Sequence, residues 1–542
     1  MAERPNPTLR SQKHRIPNSN NNMNSDLPKP TLGLTDAEAE TEFDRLQKKL
    51  VPLWRSIQSF TQDEQTIVVV PSLTIDFDCS SSELQAYEER FLFLLLLLRQ
   101  PRARLIYVTS QTIHPNIIDY YLDLLPGVIS SHARKRLFLV SPLDASTRPL
   151  SLKLLERPRL IEYLRSLIID FDRAHLVPYN TTTLERDLAI RLGIPMYGAD
   201  PKTFWIGTKS GSRQMFADEG VAHPLGIENL TSIDDVARAI AEMRRHKPAL
   251  RQVLVKLNEG VSGEGNALVD LEALAFPGTS EHDVILQRLE SMKFELQGVT
   301  YGEYVKKLNE RGGIVEERIQ GEEFRSPSAQ MRITPLGQVE RLSTHDQVLG
   351  GASGQTYLGC RFPADPAYAG AIMREASKVG ARLAREGVVG RFAIDFVTVR
   401  EQNEWKAYAI EINLRKGGTT HPFLTLQFLT DGAYDADHGV FRTALGHEKC
   451  FVASDHQDSP LYRVFTPDDL FDIVARHNIH FDQTRQSGVV FHMMSALGSH
   501  GRVGLTAVGN NREEADALFA KAVSVLDQEA QTALEQRAAA AG

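Results

Sequence analysis

The chain has 542 residues, of which 61 are lysine or arginine and 69 are aspartate or glutamate, giving a formal net charge of −8. This balance argues against a protein that binds nucleic acid through bulk positive charge. The 42% hydrophobic content is typical of a globular protein, which excludes wholesale disorder. The length exceeds what one core usually fills and predicts three or four domains.

Cysteine content and hydropathy indicate the compartment. Cys79, Cys360 and Cys450 are too few for a disulfide framework, and none belongs to a CxxC pair. The N-terminus lacks the apolar core of a signal peptide. The most membrane-like stretch, Phe91–Leu98, is far shorter than the roughly 20 apolar residues that cross a bilayer, so we expect a buried helix there. These features predict a cytoplasmic protein without a membrane or nucleic-acid partner.

The first half of the chain predicts a disordered tail and then a parallel sheet. Residues 1–40 are rich in Asn, Pro and Ser, which is typical of disorder. Short β-branched runs then alternate with helical patterns, which predicts βαβ units. The expected strands are 66–70, 105–108 and 137–140, and the expected helices are 83–99, 117–125 and 150–168. This Rossmann-like domain ends near residue 201 and has no GxGxxG sequence after its first strand.

Three further segments follow the predicted parallel sheet. Residues 202–325 and 326–430 form two units, and the second holds most of the polar residues discussed below. Residues 431–542 combine a predicted strand at 488–494 with an alanine-rich helix near 512–537. The domain limits predicted from sequence are therefore 1–40, 41–201, 202–325, 326–430 and 431–542.

A glycine-rich loop follows a predicted strand that ends in a lysine. Lys256 is followed by Gly260, Gly263 and Gly265. Glycines let backbone N–H groups converge on an anion, and lysine adds a mobile positive charge. The pattern predicts a phosphate cradle, although it is not a Walker A loop. A hairpin turn with a surface lysine is the alternative interpretation.

An acidic segment follows the next predicted strand. Backbone groups beside Glu316 could read an adenine edge, and the carboxylate of Glu323 could accept hydrogen bonds from ribose hydroxyls. A solvated acidic turn is the alternative interpretation of this segment.

Two later strands, 390–397 and 408–415, predict a hairpin with a polar face. Period-two alternation places Glu411, Asn413 and Arg415 on one face, and Asp395 can lie opposite them. Two carboxylates and an amide oxygen suit Mg²⁺, and Arg415 would neutralise charge on a transferring phosphoryl group. A salt-bridged sheet face is the alternative interpretation.

The order and spacing of these segments resemble the ATP-grasp ligases over about residues 200–425. The resemblance implies an α/β protein in which a Rossmann-like pre-ATP-grasp domain precedes a two-subdomain ATP-grasp fold with a C-terminal extension. The small subdomain would be 202–325 and the large subdomain 326–430. The layout with its extension is similar to peptide ligases of that family.

The resemblance also implies roles for the nucleotide-binding residues. Lys209 and Lys256 match the two lysines that contact phosphate, with Gly260, Gly263 and Gly265 in a loop over the phosphates. The segment from Glu316 through Glu317 to Ile319 would line the adenine pocket, and Glu323 matches the ribose-binding acid. ATP is the implied cofactor.

The metal and catalytic residues follow from the same resemblance. Asp395, Glu411 and Asn413 match the Mg²⁺ ligands, and Arg415 matches an arginine two residues after the asparagine. A second family arginine is replaced by Ala393, and Arg391 on the same strand face could substitute for it. The segment after Asn413 departs from the NxxPG form, so the specificity of D-alanine–D-alanine ligase is not carried over.

The implied reaction joins a small carboxylate to an amine, with an amino acid or peptide as substrates. ATP phosphorylates the carboxylate, and the amine displaces phosphate from the acyl phosphate. The alternatives are ligation to a thiol or other nucleophile, and an ATP-binding regulatory or scaffold protein without turnover. A homodimer is expected by association with the family alone.

Several further residues are candidates for substrate contact. His345 lies in the polar, glycine-rich stretch 343–355, which predicts a substrate loop or lid, with an ordinary exposed loop as the alternative. Arg332 could hold an acidic substrate or lie on the surface. His421 could orient the metal strand or be structural. His492 and His500 have a substrate-recognition role or a core or surface role as the two interpretations.

Overall fold

The computed structural model describes residues 33–58, 64–74, 80–260, 263, 265–272, 274, 281–296, 298–350 and 356–541. Cys79 and residues 1–32 of the predicted tail lie outside these ranges. Within them, none of the helices combines the length and the apolar character needed to span a bilayer.

The N-terminal sheet has four parallel strands in the order β3-β2-β1-β4. They are β1 (Gln65–Val70), β2 (Ala103–Val108), β3 (Leu137–Val140) and β4 (Ala174–Pro178). The three strands predicted from apolar runs are confirmed, and β4 adds a fourth beside β1. Its helices are α1 (Asp36–Gln47), α2 (Leu50–Gln58), α3 (Ser81–Glu89), α4 (Pro115–Asp123), α5 (Ser130–Arg134), α6 (Leu150–Leu155), α7 (Pro158–Ser166) and α8 (Thr183–Leu192).

Three helix boundaries differ from the sequence predictions. Helix α1 begins inside the predicted tail because Thr35 caps it in a reciprocal capping box with Glu38. The helix predicted for 83–99 is α-helical only to Glu89 and continues as a 3₁₀-helix over Arg90–Arg99. The helix predicted for 150–168 is two helices, since Pro158 has no N–H to continue the first and instead begins the second.

A small antiparallel sheet has the strand order β5-β9-β6-β7-β8. Its strands are β5 (Gly226–Leu230), β6 (Gln252–Leu257), β7 (Asn266–Asp270), β8 (Lys293–Phe294) and β9 (Gly313–Glu317). The helices of this region are α9 (Lys209–Asp218), α10 (Ile233–His246), α11 (Glu281–Glu290) and α12 (Tyr301–Arg311).

The large sheet has nine strands among the described residues, in the order β10-β14-β11-β12-β13-β18-β20-β19, with β15 also paired to β14. The strands that come before residue 430 are β10 (Glu323–Arg325), β11 (Pro327–Ile333), β12 (Val339–Gly350), β13 (Thr356–Phe362), β14 (Gly390–Glu401) and β15 (Glu404–Asn413). Residues 343–350 are thus part of β12, so the predicted loop is wrong for this stretch.

The C-terminal segment continues the same sheet. A short hairpin of β16 (Ala433–Asp435) and β17 (Val440–Arg442) precedes β18 (Cys450–Asp458), β19 (Gly488–His492) and β20 (Arg502–Gly509). Strand β18 pairs with β13, so the sheet crosses the domain limit predicted at residue 430. The remaining helices are α13 (Pro366–Arg385), α14 (Thr420–Thr430), α15 (Pro467–Arg476), α16 (Leu497–His500) and α17 (Arg512–Ala541).

One apolar core joins the N-terminal domain to the C-terminal segment. The leucine-rich run Phe91–Leu98 is buried in it together with Phe423, Val489 and Leu505. Burial of such side chains stabilises a protein by roughly 1.5–3 kcal/mol each. The run that resembles a membrane segment in the sequence therefore lies inside the protein, where it holds the N-terminal domain against the large sheet.

Candidate active site

A cavity of about 770 Å³ lies between the small sheet and the large sheet. Its wall includes Lys256 and Glu316 from the small sheet, Asp395 and Glu411 from the large sheet, and Arg90 from the N-terminal domain. The volume is within the range of cofactor and substrate sites, roughly 300–1,000 Å³. The residues singled out in the two subdomains are thus brought to a common space.

The polar face predicted for the β14–β15 hairpin faces this cavity. Asp395 is the register partner of Glu411, and Ala393 is the register partner of Asn413. Asp395, Glu411, Asn413 and Arg415 all line the cavity wall. The hairpin turns at Gln402 and Asn403, whose φ angles of 47° and 70° lie in the left-handed region. The predicted hairpin and its polar face are confirmed.

Asp395 is held by two amides and lies beside a second carboxylate. Gln347 donates its Nε2–H to Oδ1 at 2.8 Å, and Asn413 donates its Nδ2–H to Oδ2 at 2.9 Å. Burial and the charge of Glu411 raise the pKa of Asp395 to about 7, against the opposing charges of Arg415 and Lys209. The carboxylate therefore lacks enough positive charge in its surroundings to ionise as freely as it would in water.

Glu411 is shifted in the opposite direction because a lysine contacts it. Lys209 Nζ lies 2.6 Å from Glu411 Oε2. Burial alone would raise the pKa of Glu411, but Lys209, Arg415 and Lys256 together bring it below its ordinary value. Glu411 is therefore ionised at neutral pH, whereas its partner Asp395 holds a proton more tightly than a free aspartate does.

These residues fit a divalent cation. Two half-buried carboxylates face each other across a strand pair, and Asp395, unlike Glu411, receives its hydrogen bonds from neutral amides. Carboxylate and amide oxygens are hard ligands of the kind that Mg²⁺ prefers. Asp395, Glu411 and Asn413 would hold such an ion on the cavity wall.

Lys209 reaches this face from the first turn of α9. Thr208 caps the helix by accepting from the Gly211 N–H at 3.0 Å. Gly211 is required there, since an added Cβ would lie 1.9 Å from the carbonyl oxygen of Trp205. The N–H of Lys209 and the N–H of Ser210 both donate to Asn258, at its carbonyl oxygen and at Oδ1 respectively. The helix start is therefore anchored to the strand that carries Lys256.

Lys256 is buried rather than on the surface. It is 6% exposed, and its Nζ lies 2.6 Å from Oε1 of Glu316, which is 2% exposed. Arg213 Nη1 approaches the other oxygen of Glu316 at 3.4 Å. This ion-pair cluster contradicts the alternative of an exposed turn lysine and places a positive charge on the cavity wall.

The glycine loop after Lys256 is described in part. The N–H of Leu257 donates to Gly265 O at 3.0 Å, and the N–H of Asn266 donates to Gly263 O at 2.9 Å. Gly263 has a φ of 83°, which favours glycine. Gly263 lines the main cavity, and Gly260 lines an adjoining cavity of about 100 Å³ that also touches Lys209 and Glu411. Residues 261, 262 and 264 lie outside the described residues.

The acidic segment supplies another part of the cavity wall. Glu317 and Ile319 line it together with Glu316. Glu317 accepts from the Leu225 N–H at 3.0 Å and from Lys247 Nζ at 2.5 Å, so its carboxylate is occupied within the protein. Glu323 is half-exposed beside the cavity, with Oε1 bonded to Arg400 Nη1 at 2.8 Å.

Arg332, Arg391 and His345 are among the predicted residues that lie off the cavity wall. Arg332 donates from Nε to Glu340 at 2.6 Å and stacks over Trp54, and it is the strand partner of Arg391. Burial and the charge of Arg332 lower the pKa of Arg391 to about 10. His345 is fully buried against Phe362, Phe423 and Phe451, with Nε2 bonded to Ser343 Oγ at 2.8 Å.

His421 belongs to a buried cluster behind the cavity wall. His421 Nε2 lies 3.0 Å from His492 Nε2 and 3.2 Å from Asp455 Oδ1, and His492 Nε2 lies 2.8 Å from the same oxygen. Burial lowers the pKa of His421 to about 3, so the ring is neutral. Asp455 itself lines the cavity.

Sequence reasoning missed Arg90 and Asp455 on the cavity wall. They are 365 positions apart, and Arg90 Nη1 lies 2.5 Å from Asp455 Oδ2. The one available signal is an arginine directly before an eight-residue apolar run, where a charge needs a buried partner. Gln347 lies in the stretch 343–355, where the sequence predicted a loop and gave no sign of its bond to Asp395.

Two family models match the chain. One, described as IQCH-like, ATP-grasp, matches residues 203–294 and 279–437. The other, the PGM1 C-terminal domain, matches residues 469–521. The first covers the small sheet and strands β10 to β15 of the large sheet, and the second lies in the C-terminal segment.

Among curated proteins, the chain is 31% identical over 447 residues to an L-propargylglycine–L-glutamate ligase from Streptantibioticus cattleyicolor, covering 81% of this chain and 89% of that protein. It is 23% identical over 542 residues to IQ motif-containing protein H of Danio rerio, covering 90% of this chain and spanning 50% of that protein.

Solved structures agree in fold. The biotin carboxylase–ATP complex from Campylobacter jejuni matches with a TM-score of 0.50 at 13% identity, covering 84% of this chain and 90% of that chain. The MgADP-bound biotin carboxylase domain from Hydrogenobacter thermophilus has a TM-score of 0.50 at 14% identity, covering 84% of this chain and 89% of that chain. The predicted α/β architecture and the resemblance are both confirmed. The chain therefore belongs to the ATP-grasp ligases, enzymes that use ATP to join a carboxylate to an amine.

Proposed function

We propose that this ligase forms a peptide or amide bond between small substrates, at least one of them an amino acid, at the Asp395–Glu411 face. The observation that supports this most is the shared cavity. The two carboxylates, Arg415 and Lys256 all line it. The name of the L-propargylglycine–L-glutamate ligase supports amino-acid substrates.

In the first step the cavity would hold both ATP and the substrate carboxylate. ATP would lie with its adenine toward Glu316–Ile319 and its phosphates toward Lys256 and Lys209. Lys256 is balanced by Glu316 and Lys209 by Glu411, so both ammonium groups are fixed in place before the nucleotide arrives. Fixed charges need little reorganisation during the reaction, which lowers the barrier to phosphoryl transfer.

Asp395, Glu411 and Asn413 would hold Mg²⁺, which neutralises charge on the transferring phosphoryl group when bound. Arg415 supplies a protein cation at the same face, since its charge lowers the pKa of both carboxylates. Lys209 would keep its contact with Glu411 and donate another N–H to a phosphate oxygen. The substrate carboxylate would then become an acyl phosphate, and the incoming amine would release phosphate and leave the amide.

The experiment supplies the purified protein with ATP, Mg²⁺ and the standard L-amino acids, singly and in pairs. We expect ADP and phosphate to form in equal amounts, with a product lighter than the sum of its two amino acids by one water. Tight ATP binding without ADP release for any pair would instead favour a regulatory or scaffold protein. ADP release that occurs only with a thiol as the acceptor would favour ligation to a nucleophile other than an amine. The homodimer, the cytoplasmic location and the domain limits stay predictions.

A further inference from the structure

Part of the cavity wall lies outside the residues assigned above to the nucleotide and the metal. This part comes from two distant segments of the chain, with Tyr87, Arg90 and Tyr179 from the N-terminal domain and Asp455 and His456 from the C-terminal segment. We call this the Arg90 end. Because the N-terminal domain and the C-terminal segment both line the Arg90 end, the C-terminal segment contributes to the active site.

Arg90 is a buried cation with unused hydrogen-bonding capacity. It is 5% exposed, and its Nε is buried without a hydrogen-bond partner. Its guanidinium carbon lies 4.9 Å from the centre of the Tyr87 ring and 5.8 Å from that of Tyr179. Two aromatic rings and one carboxylate thus hold the guanidinium against the cavity.

Asp455 holds this guanidinium in place. Its Oδ2 contacts Arg90, and its Oδ1 contacts both His492 and His421. Although burial raises the pKa of Asp455, the charge of Arg90 and the hydrogen bonds from His421 and His492 hold it well below its usual range, so the carboxylate is ionised. Its negative charge balances Arg90, and both of its oxygens are occupied.

The His421–Asp455–His492 cluster is better suited to holding Arg90 in place than to binding a metal cation. Its three ligand atoms lie within 4.8 Å of one another, which would suit a metal ion. Arg90, however, places a positive charge on the same carboxylate, and that charge repels a second cation. The cluster is also rigid, since an added Cβ at Gly504 would lie 2.1 Å from His492 Nε2, so the ring is packed directly on β20.

A planar guanidinium that lines a cavity and keeps an N–H without an acceptor is suited to a carboxylate. We propose that Arg90 binds a non-reacting carboxylate of an amino-acid or peptide substrate, and that Asp455, held by His421 and His492, is a positioning residue for it. This inference rests on the proposed ligase function, and it adds a substrate requirement: one substrate keeps a free carboxylate that is not activated.

The test compares free carboxylates with carboxamides. Wild-type protein saturated with Mg²⁺ and a non-hydrolysable ATP analogue is titrated calorimetrically with the standard L-amino acids and with the carboxamide of each. For at least one amino acid, we expect the free acid to bind about 100-fold more tightly than its amide, as for sites built around a polar substrate group.

Two variants separate recognition from folding. Arg90→Gln alone leaves Asp455 buried and unpaired, so the double variant Arg90→Gln/Asp455→Asn, which removes both charges, is the informative one. It should bind the ATP analogue as the wild type does, and it should bind acid and amide within about 3-fold of each other. Arg90→Lys keeps the positive charge but loses the planar set of N–H donors. It should retain part of the preference for the free acid over its amide.

Two results would overturn the inference. One is a wild-type protein for which no amino acid binds more tightly than its amide. The other is a double variant that keeps the wild-type preference. Neither result depends on turnover, because binding is measured with an ATP analogue, so a failure of the proposed ligase reaction would be seen separately as absent ADP release.

Discussion

Asp395 and Glu411 are register partners on β14 and β15, yet burial and neighbouring charges shift their pKa values in opposite directions. Lys209 contacts Glu411 at 2.6 Å, whereas Asp395 receives hydrogen bonds from the neutral amides of Gln347 and Asn413. Two close carboxylates of unequal proton affinity form a site that gains from added positive charge. The predictions begin from this pair.

Glu411→Gln should lower ADP release by about 100-fold or more, because the charge that holds the metal and orients Lys209 is lost. Mn²⁺ binding, measured by electron paramagnetic resonance, should weaken in parallel and gives a readout that does not need turnover. Glu404→Gln, at the exposed start of the same strand, is the matched control and should behave as the wild type. Unchanged Mn²⁺ affinity in Glu411→Gln would remove the metal assignment.

Lys256→Met should weaken ATP binding about 10-fold or more, since a buried phosphate contact is lost. Among the described residues, the single change removes one of the two cations that contact Glu316 and leaves Arg213. The variant Lys256→Met/Glu316→Gln removes both charges and should be more stable than Lys256→Met alone. It should still bind ATP more weakly than the wild type. Calorimetry on both variants distinguishes these effects, and a wild-type Kd for ATP in the double variant would contradict a phosphate role.

Gly504→Ala should destabilise the protein by about 1–3 kcal/mol, because the new Cβ would overlap the buried His492 ring. In a His492→Ala background the ring is absent, and the same change should cost far less. Denaturant unfolding of the four proteins in this cycle measures the coupling. Additive effects would show that His492 does not lie against β20.

Burial raises the pKa of Glu89 to about 7, although the N–H groups of Met494 and Ser495 oppose the shift. Between about pH 4.5 and 7 the folded protein keeps a proton that the unfolded chain has released, so stability falls as pH rises through this window. Glu89→Gln mimics the protonated side chain and should lessen the loss between pH 5 and pH 8 by up to about 3 kcal/mol. Guanidinium unfolding at both pH values checks this, and an unchanged difference would contradict it.

The sequence predicted the elements that depend on neighbouring residues. The apolar runs at 66–70, 105–108 and 137–140 are strands, and alternation along 408–415 placed Glu411 and Asn413 on one face. Spacing alone could not reveal the Arg90–Asp455 contact, which joins positions on different domains. Polarity was misleading at Ser343 and His345, because Ser343 Oγ and His345 Nε2 bond to each other inside β12 and the histidine ring packs on aromatic side chains.

The most direct test of carboxylate activation follows oxygen from substrate to phosphate. With an active amino-acid pair, the acid is labelled with ¹⁸O in its carboxylate, and the released phosphate is analysed by mass spectrometry. An acyl-phosphate route predicts ADP and a phosphate that carries one ¹⁸O atom from the substrate. Unlabelled phosphate, or AMP and pyrophosphate in place of ADP, would contradict the account.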